Sequence, residues 1–116
     1  MDVVVYDERQ ATIIAVEGSI DALTADDFLQ AMQAQISGGR TRLVADLSEV
    51  SYASSAGLRA ILVALKESRQ LGGDLRLAAV RKGVYRVLEL SGFNSILKIY
   101  DDVETAVASY DEVAQA

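Results

Sequence analysis

The 116 residues contain no histidine, cysteine, proline or tryptophan. Without histidine or cysteine there is no Ser-His or Cys-His nucleophile pair, no zinc site of the usual ligands, no disulfide and no thiol redox chemistry. The side chain that most often moves protons near neutral pH is also missing. The composition therefore points away from catalysis: no enzyme, no catalytic residue and no metal ligand set is expected. No stretch approaches the ~20 apolar residues that span a bilayer. The opening Met1-Asp2-Val3-Val4-Val5-Tyr6-Asp7-Glu8-Arg9 lacks the basic start and long apolar core of a signal peptide. With no cysteine and no targeting segment, a cytoplasmic location without membrane insertion is the expectation.

What is present is a chain that is 51% apolar and 24% charged, of a length that fits one domain, here residues 1–116. The net charge of −6 argues against nucleic acid or an anionic membrane as the main partner. The charge is uneven: residues 40–86 carry nine Lys or Arg against four Asp or Glu, a balance of +5, and the remainder stands at −11. Two readings of that middle segment stand open, solvated helix faces or a partner-docking surface with a local positive field.

Val3-Val4-Val5-Tyr6 and Thr12-Ile13-Ile14-Ala15-Val16 read as strands joined by a turn at Asp7-Glu8-Arg9-Gln10. Thr24 can cap a helix that has Asp26 and Asp27 in its first turn, carries Phe28, Leu29, Met32 and Ile36 on one face, and stops at Gly38-Gly39. A third strand is predicted at Arg42–Leu47, buried on both faces, then a loop from Ser48 to Ala53. A second helix begins near Ser54 or Ser55, bears Leu58, Ile61, Leu62 and Leu65, turns Arg59, Lys66 and Arg69 to solvent, and ends at Gly72-Gly73. Strands at Asp74–Val80 and Ile96–Tyr100 flank a short helix marked by Val84, Val87 and Leu88 that stops at Gly92. Asp101-Asp102 open a last helix with Val103, Ala106, Val107 and Tyr110. The order ββαβαβαβα predicts an α/β domain whose five-stranded, mixed and mostly parallel sheet has helices packed on it and its first strand at an edge.

In such a sheet, functional loops gather at the carboxyl ends of strands, where helices begin. The junction from Asp46 to Ala60 is the most informative. Ser54 and Ser55 fall at a helix start, followed by small Ala56 and Gly57. Backbone N–H groups there lack intrahelical partners and the dipole is positive, so the site favours an anion. A serine in this place could be a plain N-cap, which leaves unexplained why a glycine follows inside the helix at a cost of roughly 0.5–1 kcal/mol. Gly57 suggests that something approaches the backbone closely. A nucleophile role is set aside, since Ala53 stands where an elbow needs glycine and no histidine base exists. A third role is phosphoacceptor, because a phosphate of about −1.5 to −2 charges is tolerated at a helix start.

These residues resemble a known family. The chain is similar along nearly its whole length to a STAS domain (sulfate transporter and anti-sigma factor antagonist) of the stand-alone bacterial anti-sigma factor antagonist type. The resemblance rests on Gly18-Ser19-Ile20-Asp21, Asp46-Leu47-Ser48, Ser54-Ser55-Ala56-Gly57-Leu58, Gly72-Gly73-Asp74-Leu75 and Leu88-Glu89-Leu90-Ser91-Gly92-Phe93 in that order. In the family the signature usually reads Asp-Ser-(Ser, Thr or Ala)-Gly-Leu, and a partner that is both kinase and anti-sigma factor phosphorylates the serine after the Asp. The resemblance implies Ser55 as phosphoacceptor, with Ser54 the second choice, Gly57 shaping the helix start and Asp21 as an acidic neighbour of the phosphosite. Ala56, Leu58 and Arg59 belong to the same partner-binding neighbourhood. It implies two partners, an anti-sigma factor kinase of the GHKL type and a phosphoserine phosphatase, and a monomer or weak dimer. ATP and magnesium belong to the kinase, so the chain would hold no cofactor of its own. One position departs from the family: its usual Asp is Ser54 here.

Two rival readings accompany this one. A receiver domain would keep a phosphoacceptor Asp where Asp46 ends the third strand, but the opening hairpin replaces its βα start, and Lys98 lies within the last strand. A constitutive STAS interaction module, in a signalling assembly or a transporter complex, would keep the fold without phosphorylation.

Overall fold

Runs of β-branched residues at the start pair as an antiparallel hairpin in the computed structural model, with β1 (Asp2–Glu8) against β2 (Ala11–Glu17). The structure describes residues 1–115. The turn is tighter than the tetrapeptide expected from sequence: Glu8 pairs with Ala11, leaving Arg9 and Gln10 to reverse the chain, Arg9 at φ 56°. Then follow α1 (Ala25–Ser37), β3 (Arg42–Glu49), α2 (Ser55–Gln70), β4 (Asp74–Ala78), α3 (Lys82–Leu90), a 3-10 turn (Phe93–Ser95), β5 (Lys98–Tyr100) and α4 (Val103–Gln115). The strands lie in sequence order β1-β2-β3-β4-β5, parallel from β2 onward. The predicted ββαβαβαβα order and α/β class are observed, and β1 is at an edge.

Crossovers of one hand that advance one strand at a time must put their helices on the same face. Accordingly α1, α2 and α3 share one core with the sheet, around Phe28, Met32, Ile61, Leu65, Val84 and Leu88. Among the described residues the opposite face carries only α4, whose Ala106, Val107 and Tyr110 pack on Ala11, Ile13, Val44 and Ala78. Burial of Leu43, Val44, Ala45 and Leu47 follows from this sandwiching of β3 between the two layers. No helix among the described residues is long and apolar enough to cross a membrane.

Several boundaries move, each for a local reason. β3 continues through Ser48 to Glu49, past the expected end at Leu47. β4 stops at Ala78 rather than Val80 because Ala79 turns into the left-handed region at φ 56°. Ile96 and Leu97 fall outside β5, since the Phe93 carbonyl accepts both of their N–H groups and removes them from the ladder. Thr24 precedes α1 without capping it. Its hydroxyl donates to the Ser19 carbonyl at 2.8 Å and accepts the Asp21 N–H at 2.9 Å. Asp102 does cap α4, accepting the Thr105 N–H at 2.7 Å, and the Thr105 hydroxyl and N–H hold its carboxyl below the usual range.

The basic middle segment is not one surface. Arg76 is buried, its Nε donating to Asp74 at 3.0 Å and its guanidinium 4.0 Å from the Tyr110 ring centroid. Arg69 reaches the other Asp74 oxygen at 2.9 Å, and Arg40 pairs with Asp7 at 3.1 Å. Arg81 lies at the far end of the sheet, donating to the Ser48 carbonyl at 2.8 Å.

Gly73 and Gly83 separate two uses of glycine. A Cβ on Gly73 would fall on the Thr41 carbonyl, whereas one on Gly83, in the first turn of α3, meets nothing within 4 Å. Gly73→Ala is expected to cost about 3 kcal/mol or more, since backbone must shift to admit the methyl. Gly83→Ala is expected to add about 0.5–1 kcal/mol through helix propensity. Urea unfolding of both variants checks the pair, and equal effects would refute the packing account.

Candidate functional site

Two loops meet at the carboxyl end of the sheet and are joined by backbone hydrogen bonds. Gly18 N–H donates to the Glu49 carbonyl at 3.0 Å, Ile20 N–H to Tyr52 at 2.9 Å, and Ser54 N–H to Ile20 at 2.9 Å. Ile20 and Ala53 thereby form an isolated parallel bridge, a last rung beyond the β2–β3 ladder. This rung fixes where α2 begins. A Cβ on Gly57 would stand 2.8 Å from both the Ile20 carbonyl oxygen and Ile20 Cγ2. The close neighbour that Gly57 accommodates is thus the Ile20 segment of the same chain.

Ser54 holds the N-cap position of α2 in an extended conformation (φ −88°, ψ 177°) but makes no side-chain cap. Its Oγ is buried and has no hydrogen-bond partner, so the plain-cap reading of Ser54 does not hold. The first intrahelical bond runs from Leu58 N–H to the Ser54 carbonyl at 3.0 Å. The N–H groups of Ser55, Ala56 and Gly57 precede it and have no helical acceptor. Ser55 is exposed, Ala56 half-buried, Gly57 and Leu58 buried, and Arg59 exposed. Leu58 belongs to the main core, so its side chain anchors the helix.

Asp21 is brought to this junction through Ile20, its chain neighbour. Its carboxylate accepts the Leu23 N–H at 2.9 Å, and its carbonyl accepts the N–H groups of Thr24 and Ala25. The half-buried Asp21 therefore shapes the turn that presents Ala22 and Leu23. Between α1 and α2 runs a groove of about 220 Å³ lined by Ala22, Ala25, Leu29, Ala56, Ala60 and Val63, with Asp26 and Arg59 at its rim.

Two residues of this surface escaped the sequence reading. Leu23 is 90% exposed and Tyr52 54% exposed, both in the loops that carry the junction. The signal was available, because each is a large apolar residue within a turn, out of phase with any helix or strand face. Asp46 accepts the Ser48 N–H at 3.0 Å within β3, and the antiparallel β1–β2 start removes the receiver reading.

With this geometry in place, the likeness to known proteins is consistent. A profile of the STAS domain matches residues 2–106. BtrV of Bordetella bronchiseptica is 36% identical over 98 residues, 84% of each chain. The anti-sigma-B factor antagonist of Listeria monocytogenes is 37% identical over 87 residues, 74% of this chain and 75% of that one. The crystal structure of an anti-sigma factor antagonist from Mycobacterium paratuberculosis superposes with a TM-score of 0.85 at 25% identity, covering 93% of this chain and 92% of the other. The chain belongs to the STAS domain family.

Two substitutions test the junction. Gly57→Ala is expected to cost about 1–3 kcal/mol, because the methyl must displace the Ile20 backbone or bend α2. Ser54→Ala is expected to stay within about 0.5 kcal/mol of the parent, well below the ~1 kcal/mol of an ordinary cap, since its hydroxyl has no partner to lose. Denaturant midpoints at constant slope measure both, and a capping-sized loss at Ser54 would refute the second.

Proposed function

We propose that the chain is an anti-sigma factor antagonist switched by phosphorylation of Ser55. The observation that carries this reading is the exposed Ser55 hydroxyl at the start of a 16-residue helix whose first N–H groups are uncommitted, on backbone pinned by the Ile20 rung. Family membership, and relatives named as anti-sigma factor antagonists, support the role. The unphosphorylated chain binds an anti-sigma factor and so frees a sigma factor. That partner, a serine kinase of the GHKL type, transfers the γ-phosphoryl group of ATP to Ser55 Oγ, leaving ADP and a proton. The phosphorylated chain lets go, and a phosphoserine phosphatase removes the group as inorganic phosphate.

The docking surface in this reading is the exposed strip around the switch: Leu23 and Tyr52 as apolar anchors, with Arg59 and Asp26 bordering the small-residue groove. A phosphate on Ser55 would set about two negative charges among these contacts and desolvate poorly beneath a partner. One observation favours a second reading, a constitutive interaction module: the family's carboxylate before the phosphoacceptor is replaced by Ser54, whose hydroxyl touches no polar group.

Incubation with the cognate kinase and ATP is expected to add one phosphate, mapped by mass spectrometry to Ser55. Full phosphorylation of a Ser55→Ala variant would move the site to Ser54 or elsewhere. Ser55→Asp is expected to weaken capture of the anti-sigma factor about tenfold or more, which is about 1.4 kcal/mol by calorimetry. Unchanged affinity together with absent phosphorylation would select the constitutive module.

A further inference from the structure

At the pole of the sheet opposite Ser55, the β1–β2 turn and the α1–β3 connection border an open cleft of about 500 Å³. This lies within the range of small-molecule sites, roughly 300–1,000 Å³. Its walls carry Arg9, Arg40 and Arg42 against a single carboxylate, Asp7, on a protein whose net charge is −6. The concentration of guanidinium groups is therefore opposite in sign to the molecule as a whole.

The arginines are not equivalent. Arg9 turns its guanidinium to Asp111, 3.0 Å away on α4, and is neutralised there. Arg40 grips Asp7 with Nε at 3.2 Å from both carboxylate oxygens and a terminal nitrogen at 3.1 Å from Oδ2. The Thr12 hydroxyl donates to the same carboxylate at 2.9 Å. Thr12 first and Arg40 second hold the Asp7 carboxyl below its ordinary range, so the cleft already keeps one oxyanion charged. Arg42 differs: it is half-buried, and its partner is the neutral Gln10 amide oxygen. Its charge is met by no carboxylate within salt-bridge distance among the described residues. A planar guanidinium with unused donors, beside a second guanidinium already holding an oxyanion, suits a tetrahedral anion of two or more charges.

We infer that this cleft is a binding site for a small phosphate-bearing anion, held by Arg42 and by the one Arg40 nitrogen that Asp7 leaves unused. The site is separate from Ser55 in place and in chemistry, and does not depend on the switch.

The test is a titration of the full chain, followed by backbone amide NMR, with inorganic pyrophosphate and with glycerol 1-phosphate at constant ionic strength. Saturable shifts are expected in Arg9–Thr12 and Gly39–Arg42 for at least one of the two, and none in Ser54–Gly57. Saturation by pyrophosphate alone assigns a free inorganic ligand, and saturation by both assigns the phosphate group of an ester. Arg42→Gln is expected to weaken the binding about tenfold, the effect of losing a charge-assisted contact. Because Arg42 is half-buried, Arg40→Gln on the exposed wall provides the second variant, with the amide spectrum reporting the fold of each. Linear, unsaturating shifts overturn the inference, as do shifts centred on the α2 start, binding unchanged in both variants, or tighter binding of a hexaglutamate peptide than of either phosphate.

Discussion

The contact between Ile20 and Gly57 sets the geometry of everything near Ser55. The parallel ladder of β2 and β3 ends before the loops, yet Ile20 and Ala53 add one further rung, and Ser54 donates its N–H to Ile20. The chain then turns into α2 at once, with the N-cap Ser54 alone between rung and helix. Only a residue without a Cβ lets the first turn of that helix lie against the Ile20 carbonyl. The orientation of Ser55 toward solvent, the burial of Leu58 and the direction of Arg59 all follow from this approach. Asp21 and Thr24 complete the support from the other loop, trading hydrogen bonds within their own turn.

The opposite face of the sheet is held by different chemistry. Tyr110 on α4 shares its hydroxyl proton between the Leu43 carbonyl at 2.7 Å and the Asp74 carbonyl at 2.9 Å, tying the helix to two neighbouring strands. Burial, with Asp74 adding to it, pushes its ionisation well above the ordinary range. Arg76 lies over the same ring and donates to Ser109 on α4 at 2.6 Å. A buried charge is costly unless its hydrogen bonds are satisfied. Asp74 meets that condition by accepting from Arg69, Arg76 and its neighbour Leu75 N–H. The result is a lone covering helix fixed by directional bonds rather than by apolar area alone.

Periodicity made most of this architecture legible. Alternating runs of β-branched residues, helical apolar stripes and paired glycines marked the order of elements, because those signals are local. Failures arose where one residue serves another far along the chain. Gly57 signalled a close approach, but the identity of the neighbour, Ile20, depends on how two loops pair. Arg76 counted toward the positive balance of residues 40–86, because Asp74 and Arg76 look like ordinary strand alternation until Tyr110 covers them. Thr24 has the composition of a cap and spends its hydroxyl on the Ser19 carbonyl instead. Ile96 and Leu97 read as strand by their side chains, while their N–H groups were already taken by Phe93.

The pinned start of α2 also restricts how any modification of Ser55 could act. A conformational switch needs an element with two arrangements of similar free energy. Here the helix start is locked by a rung on one side, the Leu58 anchor beneath and a glycine pressed on backbone, so a second arrangement would break several contacts together. The uncommitted N–H groups of Ser55, Ala56 and Gly57 would receive added negative charge at the favourable end of the helix dipole without rearrangement. Charge placed there would change what the surface offers to a partner and leave the fold as it was. In the proposed switch the signal would pass through the electrostatics and shape of the exposed strip formed by Leu23, Tyr52, Ser55 and Arg59. Rigidity would thus let so small a domain carry two states under the proposed switch: the fold supplies one surface, and a single group on Ser55 would rewrite it.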